Sequence, residues 1–279
     1  MKIIERLSNL DRRVIFLLIA LAVIIPLFIP LGLPVDITKP SIDFHRSIEE
    51  LKVSRGPLLL SMDYDPGTVP ELNPMSIALL RYCFSNNIRV IVMTLQPGGP
   101  GLAEQVTKEI SREFNKTYGE DYVYLGFKAG SGIVMLSMGE DIHGTFPLDY
   151  YGKPIEELPM MDEIRDLGDI PLIVSISGTA VIETWIGYAG ARYGKKVAAG
   201  ATAVMAPEFY PYLQTGQLVG MLGGLKGAAE YEKLIERPEF ASIAMDVQSV
   251  VHFLIVILVI MGNLFYFLQR RSHIENRKS

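Results

Sequence analysis

Three short stretches of this 279-residue chain carry side chains able to do chemistry together. In the first, Asp63 and Asp65 put two carboxylates just after an apolar run, where they could hold a hard cation or a hydroxyl-rich ligand. The same Asp-Tyr-Asp-Pro-Gly sequence serves equally well as a plain turn. The second stretch is Gln96-Pro97-Gly98-Gly99-Pro100-Gly101. Its glycines would leave backbone N–H groups open to an anion at the start of a helix, or would simply make a tight turn. It is neither a GxGxxG nor a Walker pattern, because no lysine or serine closes it. In the third stretch, Ser175, Ser177, Gly178 and Thr179 bring hydroxyls to the junction of a strand and a helix. Asp63, Asp65, Gln96, Gly98, Gly99, Ser177 and Thr179 therefore form the candidate ligand-binding set. No catalytic residue is assigned. A serine nucleophile needs a base, and Lys195 and Lys196 are available without any spacing that singles them out. His45 and His143 show no metal-ligand spacing, and the single Cys83 excludes a disulfide framework or a cysteine-based zinc cage within one chain. No metal and no cofactor is expected.

These loops need a sheet to position them. Residues 57–62, 89–95 and 170–177 are near-continuous apolar runs, and 196–203 is a weaker one. Helical patterns alternate with them at 43–52, from Asn73-Pro74 to Asn86, from Leu102 to about Tyr118, and at 180–193 around Trp185. This alternation predicts an α/β fold, a mostly parallel sheet with helices on both faces. In such sheets, ligands bind outside the carboxyl ends of the strands, where all three candidate loops fall. Residues 119–169 read as an irregular insertion, either a lid or a partner surface.

The domain is bracketed by two apolar runs. Residues 14–35 and 247–269 contain no charged side chain, and each is long enough to span a bilayer. Pro26, Pro30 and Pro34 should kink or fray the outer half of the first. Residues 1–13 carry four cations against two anions, and 270–279 carry four against one. The chain's net charge is -5, so a net of -10 lies between these tails. Positive flanks stay inside. The expected topology is therefore a cytoplasmic tail at 1–13, transmembrane helices at 14–35 and 247–269, an extracytoplasmic domain at 36–246 and a cytoplasmic tail at 270–279. The acidic domain argues against nucleic acid and anionic lipid headgroups as its partners. The two spans make the lipid bilayer a partner, and self-association or other membrane proteins are expected beside it. In the second span, His252 and Asn263 lie three helical turns apart, near one face. They are read either as a contact stripe or as hydrated ends.

Gly216, Gly220 and Gly224 are spaced by four, as are Gly223 and Gly227. Five glycines in a helix cost roughly 1 kcal/mol each against alanine, so the spacing predicts a packed helix whose small-residue stripe meets either the sheet of the same chain or a helix of a neighbouring subunit.

Two resemblances follow from these residues. IVMTLQPGG at 91–99 resembles the strand-turn-helix of ClpP/crotonase-like membrane serine proteases, which implies a serine nucleophile at a later helix start. Here Ser177-Gly178-Thr179 lacks the small-Ser-Gly-Gly pattern of that family. Over most of the domain, the DYDPxTxPEL turn and GQLVGMLGGLKGAAEYE resemble an uncharacterised family of prokaryotic two-pass membrane proteins. That likeness implies the topology and no activity.

The paired anchors and glycine ladder point first to a non-catalytic structural or assembly subunit of a homo- or hetero-oligomeric membrane complex. A small-ligand binding or sensing module is the alternative. A membrane-anchored serine hydrolase is the third reading.

Overall fold

The computed structural model describes residues 11–276, with side chains described as far as residue 268. The chain divides into two compact units: its two ends together, residues 1–34 and 242–279, and residues 35–241.

The larger unit is built on six strands: β1 (Leu58–Asp63), β2 (Val90–Thr94), β3 (Tyr122–Phe127), β4 (Leu172–Ser177), β5 (Lys196–Ala201) and β6 (Met221–Gly223). Every neighbouring pair is parallel, in the order β3-β2-β1-β4-β5-β6. The expected α/β fold is present, and the sheet is wholly parallel. All residues of β1, β2 and β4 are buried, which is why their sequences run apolar instead of alternating. The order reverses between β1 and β4, so their carboxyl ends flank the crevice.

One face of the sheet carries α1 (Lys39–Ser54), α2 (Val69–Ser85), α3 (Pro100–Glu113) and α7 (Gly224–Leu234). The other carries α4 (Ser131–Glu140), α5 (Val181–Trp185) and α6 (Ala206–Gln214). Helix α5 continues without a break into a π-helical stretch, Ile186–Arg192. On this second face Leu59, Ile91, Val123 and Ile173 share one core with Met135, Trp185 and Phe209.

The expected irregular insertion is largely ordered structure. It holds β3 and α4, and residues 142–170 then bury Ile142, Phe146, Ile155, Leu158, Met161, Ile164 and Leu167 in that same core. Short 3-10 turns make this segment a plate on the sheet in place of a helix. Its return to β3 also covers the sheet edge at Tyr124, whose carbonyl accepts the Tyr150 N–H at 3.0 Å. Helix α2 starts at Val69, with Pro70 in its first turn, so Pro74 lies inside the helix and Asn73 is not its cap.

The glycine segment is not one helix. Gly216 lies in the turn after α6 with φ +74°, Gly220 immediately precedes β6, Gly223 ends β6, and Gly224 and Gly227 belong to α7. A Cβ at Gly220 would overlap the Phe44 backbone of α1. One at Gly224 would sit 2.7 Å from Ala203 Cβ, one at Gly227 2.8 Å from Leu222 C, and one at Gly223 3.1 Å from Ala206 Cβ. The five glycines thus form no single helical stripe: Gly216 sits in open space, and the other four make separate close approaches inside one domain.

In the unit made by the chain ends, an N-terminal helix covers Arg12–Phe28. It stops before Pro30 and Pro34, short of the expected span to residue 35. The C-terminal helix Phe240–Asn276 starts seven residues earlier than the apolar run. Among the described residues one helix, Phe240–Leu268, is long and apolar enough to cross a membrane. Asn263 donates to Val259 O of its own helix at 3.0 Å, and both it and His252 are exposed.

Candidate functional site

The parallel register sets the crevice. Ser61 lies opposite Ser175 and Asp63 opposite Ser177, so four polar side chains from β1 and β4 share one face at paired positions. All four are fully buried. Asp63 Oδ2 accepts a hydrogen bond from the Ser61 hydroxyl at 2.6 Å and a long one from Ser175 at 3.5 Å. Its Oδ1 accepts the Leu95 N–H at 2.6 Å, which ties the end of β2 to the end of β1. Burial disfavours the charged carboxylate and pushes its pKa up to about 6, although the hydrogen bonds from Ser61, Leu95 and Ser175 pull the other way.

The three candidate loops do converge, by packing on one another. A Cβ at Gly98 would lie 3.0 Å from Asp65 Cβ. One at Gly99 would lie 2.5 Å from Thr94 Oγ1 and 3.1 Å from Met62 O. Thr94 Oγ1 accepts the Gln96 N–H at 3.1 Å and so folds the second loop back on its strand. The third loop approaches the first, as a Cβ at Gly178 would be 3.0 Å from Thr68 Cγ2. Ser177 Oγ accepts the Thr179 N–H at 3.0 Å and lies 3.1 Å from Asp63 O, a hydrogen-bond acceptor.

This arrangement changes what the candidates can do. Asp65 caps its own turn by accepting the Gly67 N–H at 2.9 Å, while both Asp63 oxygens face internal donors. The two carboxylates therefore do not converge on one cation, and among the described residues no group of three His, Cys, Asp or Glu side chains is placed to hold a metal. The possible lysine bases are at the wrong end of the sheet. Lys196 pairs with Leu172 at the start of β4, five residues from Ser177, which is about 17 Å along a strand. Lys196 reaches Glu50 at 2.6 Å, and Lys195 donates to Gly168 O at 2.7 Å. His143 Nε2 lies against the carbonyls of Met161 and Ile164.

Sequence reasoning missed Ser61 and Thr94 as members of this cluster. Their signal was present: a hydroxyl inside a wholly buried strand needs a partner. What the assembled group does chemically is hold a buried, protonatable carboxyl in a lattice of hydroxyl and amide donors that also locks three loops together. Comparison of the chain with protein-family models, with curated proteins and with solved structures finds no match, so this geometry is what speaks for its role.

Proposed function

We propose that this chain is a membrane-anchored, non-catalytic assembly subunit, with both termini cytoplasmic and its acidic α/β domain outside. One observation carries the reading: the crevice where such sheets receive ligands is filled by the chain's own side chains. Asp63, Ser61, Ser175 and Ser177 are all completely buried and bonded among themselves or to neighbouring backbone. A contact surface is better supported than a pocket there. Beside the covered edge of β3, Leu148, Tyr150 and Tyr151 are exposed by 50, 41 and 50 %. Tyr150 packs on Tyr124 with ring centroids 4.6 Å apart, and Tyr151 meets Tyr118 edge to face at 5.2 Å. Rigid, half-exposed aromatic side chains of this kind are enriched at protein interfaces.

Native mass spectrometry of the full-length protein in mild detergent tests the proposal. A discrete oligomer or a co-purifying membrane protein is expected, and Leu148→Asp should dissociate it. A monomer carrying a small added mass would overturn the assembly reading in favour of ligand binding. An oligomer untouched by Leu148→Asp would move the interface elsewhere.

A further inference from the structure

The end of the sheet opposite the crevice holds a half-open cavity of about 450 Å³ between the ends of α1 and α2. Its floor includes the buried Leu51 and Ile88. Around it stand Lys52, Arg55 and Arg89, and no carboxylate lines it. This clustering is unexpected in a stretch whose net charge is -10.

The backbone places these cations deliberately. Arg55 and Asn87 both adopt left-handed conformations at φ 55°, turning α1 into β1 and α2 toward β2. That conformation is easy for asparagine and costs arginine about 1 kcal/mol. The Leu58 N–H donates to Arg89 O at 2.9 Å, which fixes the two turns side by side. Lys116 Nζ donates to Asn87 Oδ1 at 2.6 Å, which leaves the Asn87 amide N–H groups free to donate.

The alternative role for such cations is to offset the partial charges at two helix C-termini. Those amount to about -0.5 each, so three cations exceed them by about two charges. Two of the three cations have acidic partners that a ligand must displace: Glu49 lies 3.8 Å from Lys52, which also sits over the Tyr82 ring, and Arg89 donates through both terminal nitrogens to Glu163 at 3.2 and 3.3 Å. Both carboxylates are well exposed, by 50 and 74 %, so these pairs are weak. Arg55 makes no ion pair with any described carboxylate.

We propose that this cavity is a binding site for a phosphate-bearing anion, held by Lys52, Arg55 and Arg89 with the Asn87 amide as a neutral donor. The volume suits a small phosphorylated molecule or a phospholipid headgroup, and arginine pairs match phosphate oxygens in bidentate geometry. The site is separate from the crevice and from the aromatic surface at β3, so it stands whether or not the assembly reading does.

The test is calorimetric titration of the full-length protein in phosphatidylcholine nanodiscs at low ionic strength. Inorganic pyrophosphate is one titrant, and water-soluble dihexanoyl phosphatidylglycerol is the other. Saturable binding that weakens with added salt is expected for at least one of them. Pyrophosphate alone assigns a soluble ligand, the lipid alone assigns a headgroup, and both together assign the shared phosphate. The double variant Arg55→Gln, Arg89→Gln should lose at least tenfold in affinity, while Lys153→Gln, an exposed cation elsewhere, should not. Glutamine makes the same backbone demand as arginine, so an unchanged melting temperature will show that the double variant is folded. Failure of both titrants to bind at millimolar concentration, or unchanged affinity in the double variant, overturns the site.

Discussion

At Asp63 burial and hydrogen bonding act in opposite directions, and burial prevails: the carboxyl's pKa rises from 3.8 to about 6. The sign of the linkage follows. Between these two values the folded state binds a proton that the unfolded state has released, so stability falls as pH rises through the window and is level above it. A shift of this size corresponds to about 3 kcal/mol withheld from the fold at neutral pH. Asp63→Asn keeps the acceptor for Leu95 N–H, offers an N–H to Ser61 and cannot ionise. It should match the wild type near pH 4 and exceed it by about 2–3 kcal/mol at pH 8, read by chemical unfolding at both values. Equal destabilisation at both pH values would mean that the ionised carboxylate holds the cluster. The position was legible in the sequence as an acid at the end of an apolar strand. Its partners were not, because pairing Ser61 with Ser175 requires a register that spans more than a hundred residues.

Among the elements, the strands that read most plainly in the sequence are those buried throughout, β1, β2 and β4, while β5 reads more weakly because it starts at the exposed Lys196 and is otherwise mostly alanine and glycine. β3 escaped because an edge strand carries tyrosines, Tyr122 and Tyr124, and has Gly126 at φ +84° just before its last residue, Phe127. The Tyr122 hydroxyl is satisfied by Ser111 at 3.0 Å, a tertiary fact that no local pattern contains. The glycine ladder misled for a different reason. Spacing by four suits a helix stripe, yet here Gly216 turns the chain, Gly220 admits α1, and Gly227 admits the backbone of its own preceding strand. The two kinds of glycine make a contrasting prediction. Gly220→Ala sets a methyl against fixed backbone, with the Asp43 carbonyl carbon only 2.7 Å away, and should cost about 3 kcal/mol or more. Gly216→Ala meets no atom within 4 Å and pays only for its left-handed backbone, about 1 kcal/mol. Thermal unfolding of the two variants checks the order. Loss of an oligomer with no loss of stability in Gly220→Ala would instead restore the stripe as a subunit contact.

Over the whole molecule, the chain's two ends fold as one unit, and a single side chain bonds one end to the other. Asp246 is buried to 4 % exposure and accepts three consecutive backbone N–H groups: Leu31 at 2.9 Å, Gly32 at 2.8 Å and Leu33 at 2.9 Å. Gly32 makes the geometry available, because φ +62° lets successive N–H groups point into one concavity. Residues 29–34 have no helix or sheet of their own to satisfy these amides. Hydrogen bonds to a charged acceptor contribute about 1.5–3 kcal/mol each, so their loss should register locally even if the larger domain is untouched. Asp246→Ala is therefore expected to speed hydrogen exchange at Leu31, Gly32 and Leu33 by about thirtyfold or more, the equivalent of about 2 kcal/mol. Asp246→Asn, with one oxygen left to accept, should fall between the variant and the wild type. Amides of β1 and β4 should exchange as before, because no bond to them is removed. Exchange at residues 31–33 that does not change in Asp246→Ala would show that something other than this carboxylate joins the N-terminal segment to the C-terminal helix.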